Sequence, residues 1–140
     1  MSDQADIFEP GSIDPAEVVS AIKFNADGLV PVIAQQFDSG EILMMAWMNA
    51  EALAETLQNG RVCYWSRSRN TLWRKGESSG QVQELKDLRW DCDADTILAL
   101  IDQKGVACHT GRRNCFYNAV RDGKMVEIAE VEINPDDLYG

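Results

Sequence analysis

The chain has 140 residues, 45% of them hydrophobic and 26% charged, the balance of one ordinary globular domain. With 23 acidic residues against 13 basic ones, the formal charge is −10. That excludes a general binder of nucleic acid or anionic membrane, which relies on a net basic field, but not a local basic pocket for a phosphorylated small molecule.

Residues 1–12 are polar, with Pro10 and Gly11 near their end, and read as a flexible leader to a single domain over 13–140. The leader is acidic and lacks the basic-then-apolar pattern of a signal peptide. Asp14-Pro15 marks a helix start, with Asp as N-cap and Pro in the first turn, and that helix is expected to end near Lys23. Residues 29–36 and 42–47 read as two strands joined through Asp38-Ser-Gly40 into a hairpin. The longest apolar run, Ile42–Met48, has seven residues, against the about 20 of a membrane span. Asn49 caps a second helix over 50–58, stopped by Asn59-Gly60. Residues 62–66 are strand-like. Residues 67–80, rich in Ser, Gly and basic side chains, are expected to form a long loop of the kind that carries function. Residues 82–92, 96–103 and 116–120 read as further strands, 108–111 as a turn, and Asp122-Gly123 as a turn leading into 125–133. The expected fold is a β-dominated α+β domain with mixed or antiparallel strands and two short helices.

No membrane span and no signal peptide together predict a cytoplasmic protein whose four cysteines, Cys63, Cys92, Cys108 and Cys115, stay reduced. Cys92, Cys108 and Cys115 contain no C-x-x-C, so a closed four-cysteine ribbon is not expected. Three thiolates without a fourth ligand leave one tetrahedral position open for water, the arrangement of a catalytic zinc; three half-buried core cysteines fit the spacing equally. Asp91, Asp93 and Asp95 alternate with Cys92 and Ala94, so an extended segment turns three carboxylates to one face and Cys92 to the other. Clustered carboxylates repel unless a cation sits among them, and hard oxygen ligands suit Mg²⁺; a solvated acidic strand end is the alternative. A calcium loop from Asp91 to Asp102 is disfavoured, because Thr96 stands where such loops need glycine and begins an expected strand.

His109, the only histidine, lies beside Cys108, where it fits a structural role or a general acid/base near neutral pH. Arg67, Arg69, Arg74 and Lys75, with Arg112 and Arg113 near the last two cysteines, are candidate phosphate ligands or members of a solvated loop. Gly76, Gly80 and Gly111 would let backbone amides approach the same oxygens. Met44, Met45, Trp47 and Trp90 read as core, whereas Trp65 and Trp73 flank the basic loop and fit either purine stacking or core packing.

Several runs taken together, Leu43-Met-Met-Ala-Trp-Met-Asn49, Tyr64-Trp-Ser-Arg-Ser-Arg-Asn70, Leu72-Trp-Arg-Lys-Gly-Glu-Ser-Ser-Gly80, Asp91-Cys-Asp-Ala-Asp95 and Ala107-Cys-His-Thr-Gly111 through Cys115-Phe116, resemble the phosphoribosyl-AMP cyclohydrolases of histidine biosynthesis. They span most of the chain between about residue 28 and residue 117. The resemblance implies an intertwined homodimer with one zinc and one Mg²⁺ per subunit. It implies Cys92, Cys108 and Cys115 as zinc ligands, Asp91, Asp93 and Asp95 as magnesium ligands, and His109 as a residue that assists catalysis. It suggests a zinc site shared between subunits, Cys92 from one chain and Cys108 with Cys115 from the other. Asn114 departs from the serine expected before the last cysteine, and Cys63 matches no motif and is expected in the core. The implied reaction is hydrolytic opening of the adenine ring of 1-(5-phosphoribosyl)-AMP at N1–C6, giving the formimino aminoimidazole carboxamide ribonucleotide. Zinc nucleoside deaminases also attack adenine C6, but their H-x-E…P-C-x-x-C signature is absent. The competing classes are a zinc-stabilised binding module without catalysis and a calcium-binding module.

Overall fold

The computed structural model describes residues 8–139. Helix α1 (Pro15–Ala21) begins where Asp14 Oδ1 accepts the Ala16 N–H at 3.0 Å. Strands β1 (Val30–Gln36) and β2 (Ile42–Met48) form the expected antiparallel hairpin. Asn49 Oδ1 accepts the Ala52 N–H at 2.8 Å and opens α2 (Ala50–Asn59), which stops at Gly60 in the left-handed conformation, φ 76°. The remaining elements are β3 (Cys63–Ser66), β4 (Thr71–Arg74), β5 (Gln83–Trp90), β6 (Ile97–Gln103), β7 (Asn118–Arg121), β8 (Lys124–Glu127) and α3 (Pro135–Tyr139). Among the described residues no helix is long and apolar enough to cross a membrane.

Four strands form the main sheet in the order β2-β1-β6-β5, with β1 and β6 parallel and the other neighbours antiparallel. Every second residue of β1 and β6 is buried, as a period of two requires for a sheet with one core face. Val32 stands opposite Ile97 and Ala34 opposite Ala99, and these side chains join Val18, Leu53, Leu57 and Tyr64 in one apolar cluster. A polar chain crosses that interior. The Tyr64 hydroxyl donates to Gln83 Oε1 at 2.7 Å, and the Gln83 amide donates to Gln103 Oε1 at 2.8 Å. The Gln103 amide in turn donates to the carbonyls of Gln81 and Lys104 at 3.0 and 2.9 Å, so these buried polar groups are paired.

The α+β, β-dominated class is the expected one, but the described residues contain three helices rather than two. The additional α3 has five residues, too few to display an apolar period. Residues 67–80 are not one loop, because they contain β4, which pairs with β3 through Tyr64 opposite Trp73 and Trp65 opposite Leu72. Four residues carry too little alternation to outweigh the Ser- and Arg-rich composition around them. Residues 91–95 are not extended. They form a turn with Ala94 at φ 58°, in which Asp91 Oδ1 accepts the N–H groups of Asp95 at 3.0 Å and Thr96 at 3.3 Å. Trp90 and Met45, expected in the core, are each 42% exposed, and Trp47 is only half-buried. Of the expected flexible leader, residues 1–7 lie outside the described residues. Residues 8–12 are tied to the body, with the Phe8 N–H on Lys86 O at 3.2 Å and the Gly11 N–H on Leu57 O at 3.1 Å.

Candidate active site

A cleft of about 830 Å³ opens beside the β3–β4 hairpin, and several independent pieces of chain converge on it. Met45 of β2 and Leu72 and Trp73 of β4 supply an apolar wall, Arg69, Arg74 and Lys75 a basic one, and Ser78 and Ser79 hydroxyl groups. Ala107, His109 and Cys115 complete the lining. The chain reverses at Gly76, φ 83°, where a Cβ would collide with the backbone of Gln81 and Val82, so only glycine fits. Arg74 is aimed by Glu55 of α2, whose carboxylate accepts from Nε and from a terminal nitrogen, each at 2.8 Å. That fork holds the Glu55 carboxyl below its ordinary range.

The two cysteines of the cleft end are brought together by backbone bonds. The Cys108 N–H donates to Arg112 O at 3.1 Å, Gly111 N–H returns to Cys108 O at 3.0 Å, and the Cys115 N–H donates to Leu43 O of β2 at 2.7 Å. Partial desolvation, followed by the neighbouring Cys108, pushes the Cys115 thiol up to about 12. The Thr110 hydroxyl donates to Cys108 Sγ at 3.0 Å. Cys92, on the 91–95 turn, is exposed and forms no ligand group with that pair; among the described residues the one cluster of three is Asp91, Asp93 and Asp95. Their oxygens lie within 4.8 Å of one another, and Asp95 is held above its ordinary value first by its hydrogen bond to Asp91. Carboxylates this crowded fit a hard cation, and the turn gathers them as a strand would not. The thiol pair fits zinc as a partial set, needing at least one further ligand from elsewhere.

Not every expected phosphate ligand reaches the cleft. Arg113 donates to Gln36 Oε1 at 2.9 Å, Gln103 O at 3.1 Å and Gly105 O at 2.6 Å, and approaches Glu41 at 3.5 Å, so its donors brace the 105–115 segment against β1 and β6. The Asn114 amide joins this brace through Glu41 at 2.8 Å. Arg112 bonds Ala129 O at 2.9 Å and lies over Tyr117 at 4.0 Å, and Arg67 lies over Trp47 at 4.7 Å. Cys63 is fully buried as expected, its thiol pushed up to about 12 by burial and the Glu55 carboxylate. Sequence reading missed Glu55, Glu41 and Met45 as contributors. Nothing local marks the two glutamates, since each acts on a basic side chain distant in sequence.

A basic cleft that also holds a histidine, a cysteine and apolar side chains has the make-up of a hydrolase for a small anionic substrate. The phosphoribosyl-AMP cyclohydrolase family profile matches residues 44–117, which include His109 and all the clustered cysteines and aspartates. The chain is 67% identical over 128 residues to the phosphoribosyl-AMP cyclohydrolase of Paramagnetospirillum magneticum, covering 91% of this chain and 97% of that protein. It is 66% identical over 119 residues to that of Rhodospirillum centenum, covering 85% and 90%, and 57% identical over 141 residues to that of Halorhodospira halophila, covering 100% and 99%. The chain belongs to the phosphoribosyl-AMP cyclohydrolase family of histidine-biosynthesis hydrolases.

Proposed function

We propose that the protein opens the adenine ring of 1-(5-phosphoribosyl)-AMP by hydrolysis of the N1–C6 bond, as a step of histidine biosynthesis. The observation that carries this reading is the convergence of His109, Cys115 and the basic hairpin on one cleft. Cys108 and Cys115, completed by Cys92 from a second copy of the chain, would hold zinc, and Asp91, Asp93 and Asp95 would hold Mg²⁺, one of each per subunit. When bound, these ions supply a water activated at neutral pH and positive charge to set against phosphate.

The protein's own groups do the rest. Arg69 and Arg74, with Ser78 and Ser79, bind the phosphates, and Trp73, Leu72 and Met45 offer the flat apolar surface against which a purine orients. Water oxygen bonds to C6, the C6–N1 bond breaks, and that oxygen, becoming the carboxamide carbonyl, gives up one proton to N1 and one to the exocyclic nitrogen. His109 is the cleft residue suited to carry the proton to N1. The test follows ultraviolet absorbance as phosphoribosyl-AMP is converted, with and without a chelator. Turnover that the chelator abolishes is expected; folded, metal-loaded protein that leaves the substrate intact refutes the reading.

A further inference from the structure

Lys75 is unlike the other basic residues of the cleft. It is 7% exposed, whereas Arg69 and Arg74 stand open to solvent. Its backbone N–H donates to Val62 O at 3.2 Å, and the reversal at Gly76 carries its side chain inward. There Nζ donates to Ala107 O at 2.7 Å and stands 5.4 Å from the centre of the Trp73 ring. Lysines this buried ordinarily have a carboxylate partner. Among the described residues none lies within ion-pair distance of Nζ. Its acceptor, Ala107, immediately precedes Cys108 in the chain, and Cys115 lines the same cleft.

We propose that Lys75 is a positioning residue of the thiolate site rather than a phosphate ligand: its ammonium offsets the negative charge of the metal-bound thiolates and fixes the carbonyl of Ala107, next to Cys108. The inference rests on the zinc reading above. Three thiolates and one divalent ion leave an excess negative charge, and a partly buried site cannot rely on water to screen it. A fixed ammonium on the cleft floor supplies the compensation at no cost in reorganisation. One of its three donors is already committed to Ala107, the residue before Cys108, the ring of Trp73 stands beside it, and its burial limits access by a phosphate arriving from solvent. Outer groups of this kind orient and tune metal ligands.

The experiment measures zinc affinity of the full chain by competition with a chromophoric chelator. Lys75→Met and Lys75→Gln should each weaken zinc by about 10–100-fold, Gln because it keeps a donor for Ala107 but no charge. Lys75→Arg should stay within about threefold of wild type, because the charge is kept, and Lys86→Met, on β5, should match wild type. In cobalt-substituted protein the thiolate-to-metal charge-transfer band should move in Lys75→Gln and return in Lys75→Arg, a pattern that a purely architectural role would not produce. Wild-type zinc affinity in Lys75→Gln overturns the inference, and so does an equal loss in Lys75→Gln and Lys75→Arg. Failure of the wild-type protein to bind zinc overturns the zinc reading and the inference with it, a result distinct from either of those.

Discussion

Two inactive variants together test whether each zinc site is built by two chains. Within one chain Cys92 sits exposed on the 91–95 turn and forms no ligand group with Cys108 and Cys115. If the site is shared, Cys92→Ala removes one ligand from both sites of a dimer, and Cys108→Ala does the same. In a mixed dimer the lesions sort differently: one site receives both and the other receives neither. Random exchange makes about half of all dimers mixed, and half the sites in those are intact, so about one quarter of all sites are restored. Turnover and bound zinc should therefore both return to about a quarter of the wild-type value after equal mixing. The assay is ultraviolet turnover with elemental analysis, after native mass spectrometry has shown that subunits exchanged. Sites built by one chain alone would each keep a lesion, so exchanged dimers that stay inactive and zinc-poor refute the shared site.

Asp91→Asn, Asp93→Asn and Asp95→Asn should keep zinc while raising the Mg²⁺ concentration needed for half-maximal activity, since only hard oxygen ligands are altered; zinc analysis and a Mg²⁺ titration check this. Glu55→Gln should raise KM more than it lowers kcat, because the fork that aims Arg74 is weakened. The carboxyl of Glu55 is depressed below 4.5 chiefly by Arg74, so its pairing supports the fold above about that pH and fades as acid protonates it. The unfolding midpoint of Glu55→Gln should accordingly fall under wild type at neutral pH, by a small amount because Arg74 is exposed, and converge on it as acid titrates the depressed Glu55 carboxyl. Tyr64→Phe should cost about 1–3 kcal/mol in urea unfolding, because Gln83 Oε1, fully buried, loses the hydroxyl it accepts from.

What was legible in the chain by itself acts over short range. Asp14, Asn49 and Gly60 satisfy backbone groups within one helical turn, so their residue types announce the ends of α1 and α2. The alternation of β1 and β6 reports a core face because a strand turns every second side chain the same way. The cysteines, the aspartates and His109 stand out by chemistry, and their order along the chain carries the family resemblance. Residues 91–95 show the boundary: the grouping of three carboxylates was readable, but a turn produces it, because Asp91 captures the amides of Asp95 and Thr96. Lys75 and Arg69 in the basic 67–80 segment and Arg113 near the last two cysteines read alike as candidate phosphate ligands. Only the tertiary structure decides that Arg69 faces the cleft, that Lys75 is buried against Ala107, and that Arg113 is bound to Gln36, 77 positions away. A cation's role depends on which acceptors surround it, and those acceptors are assembled by chain crossings that no local spacing encodes.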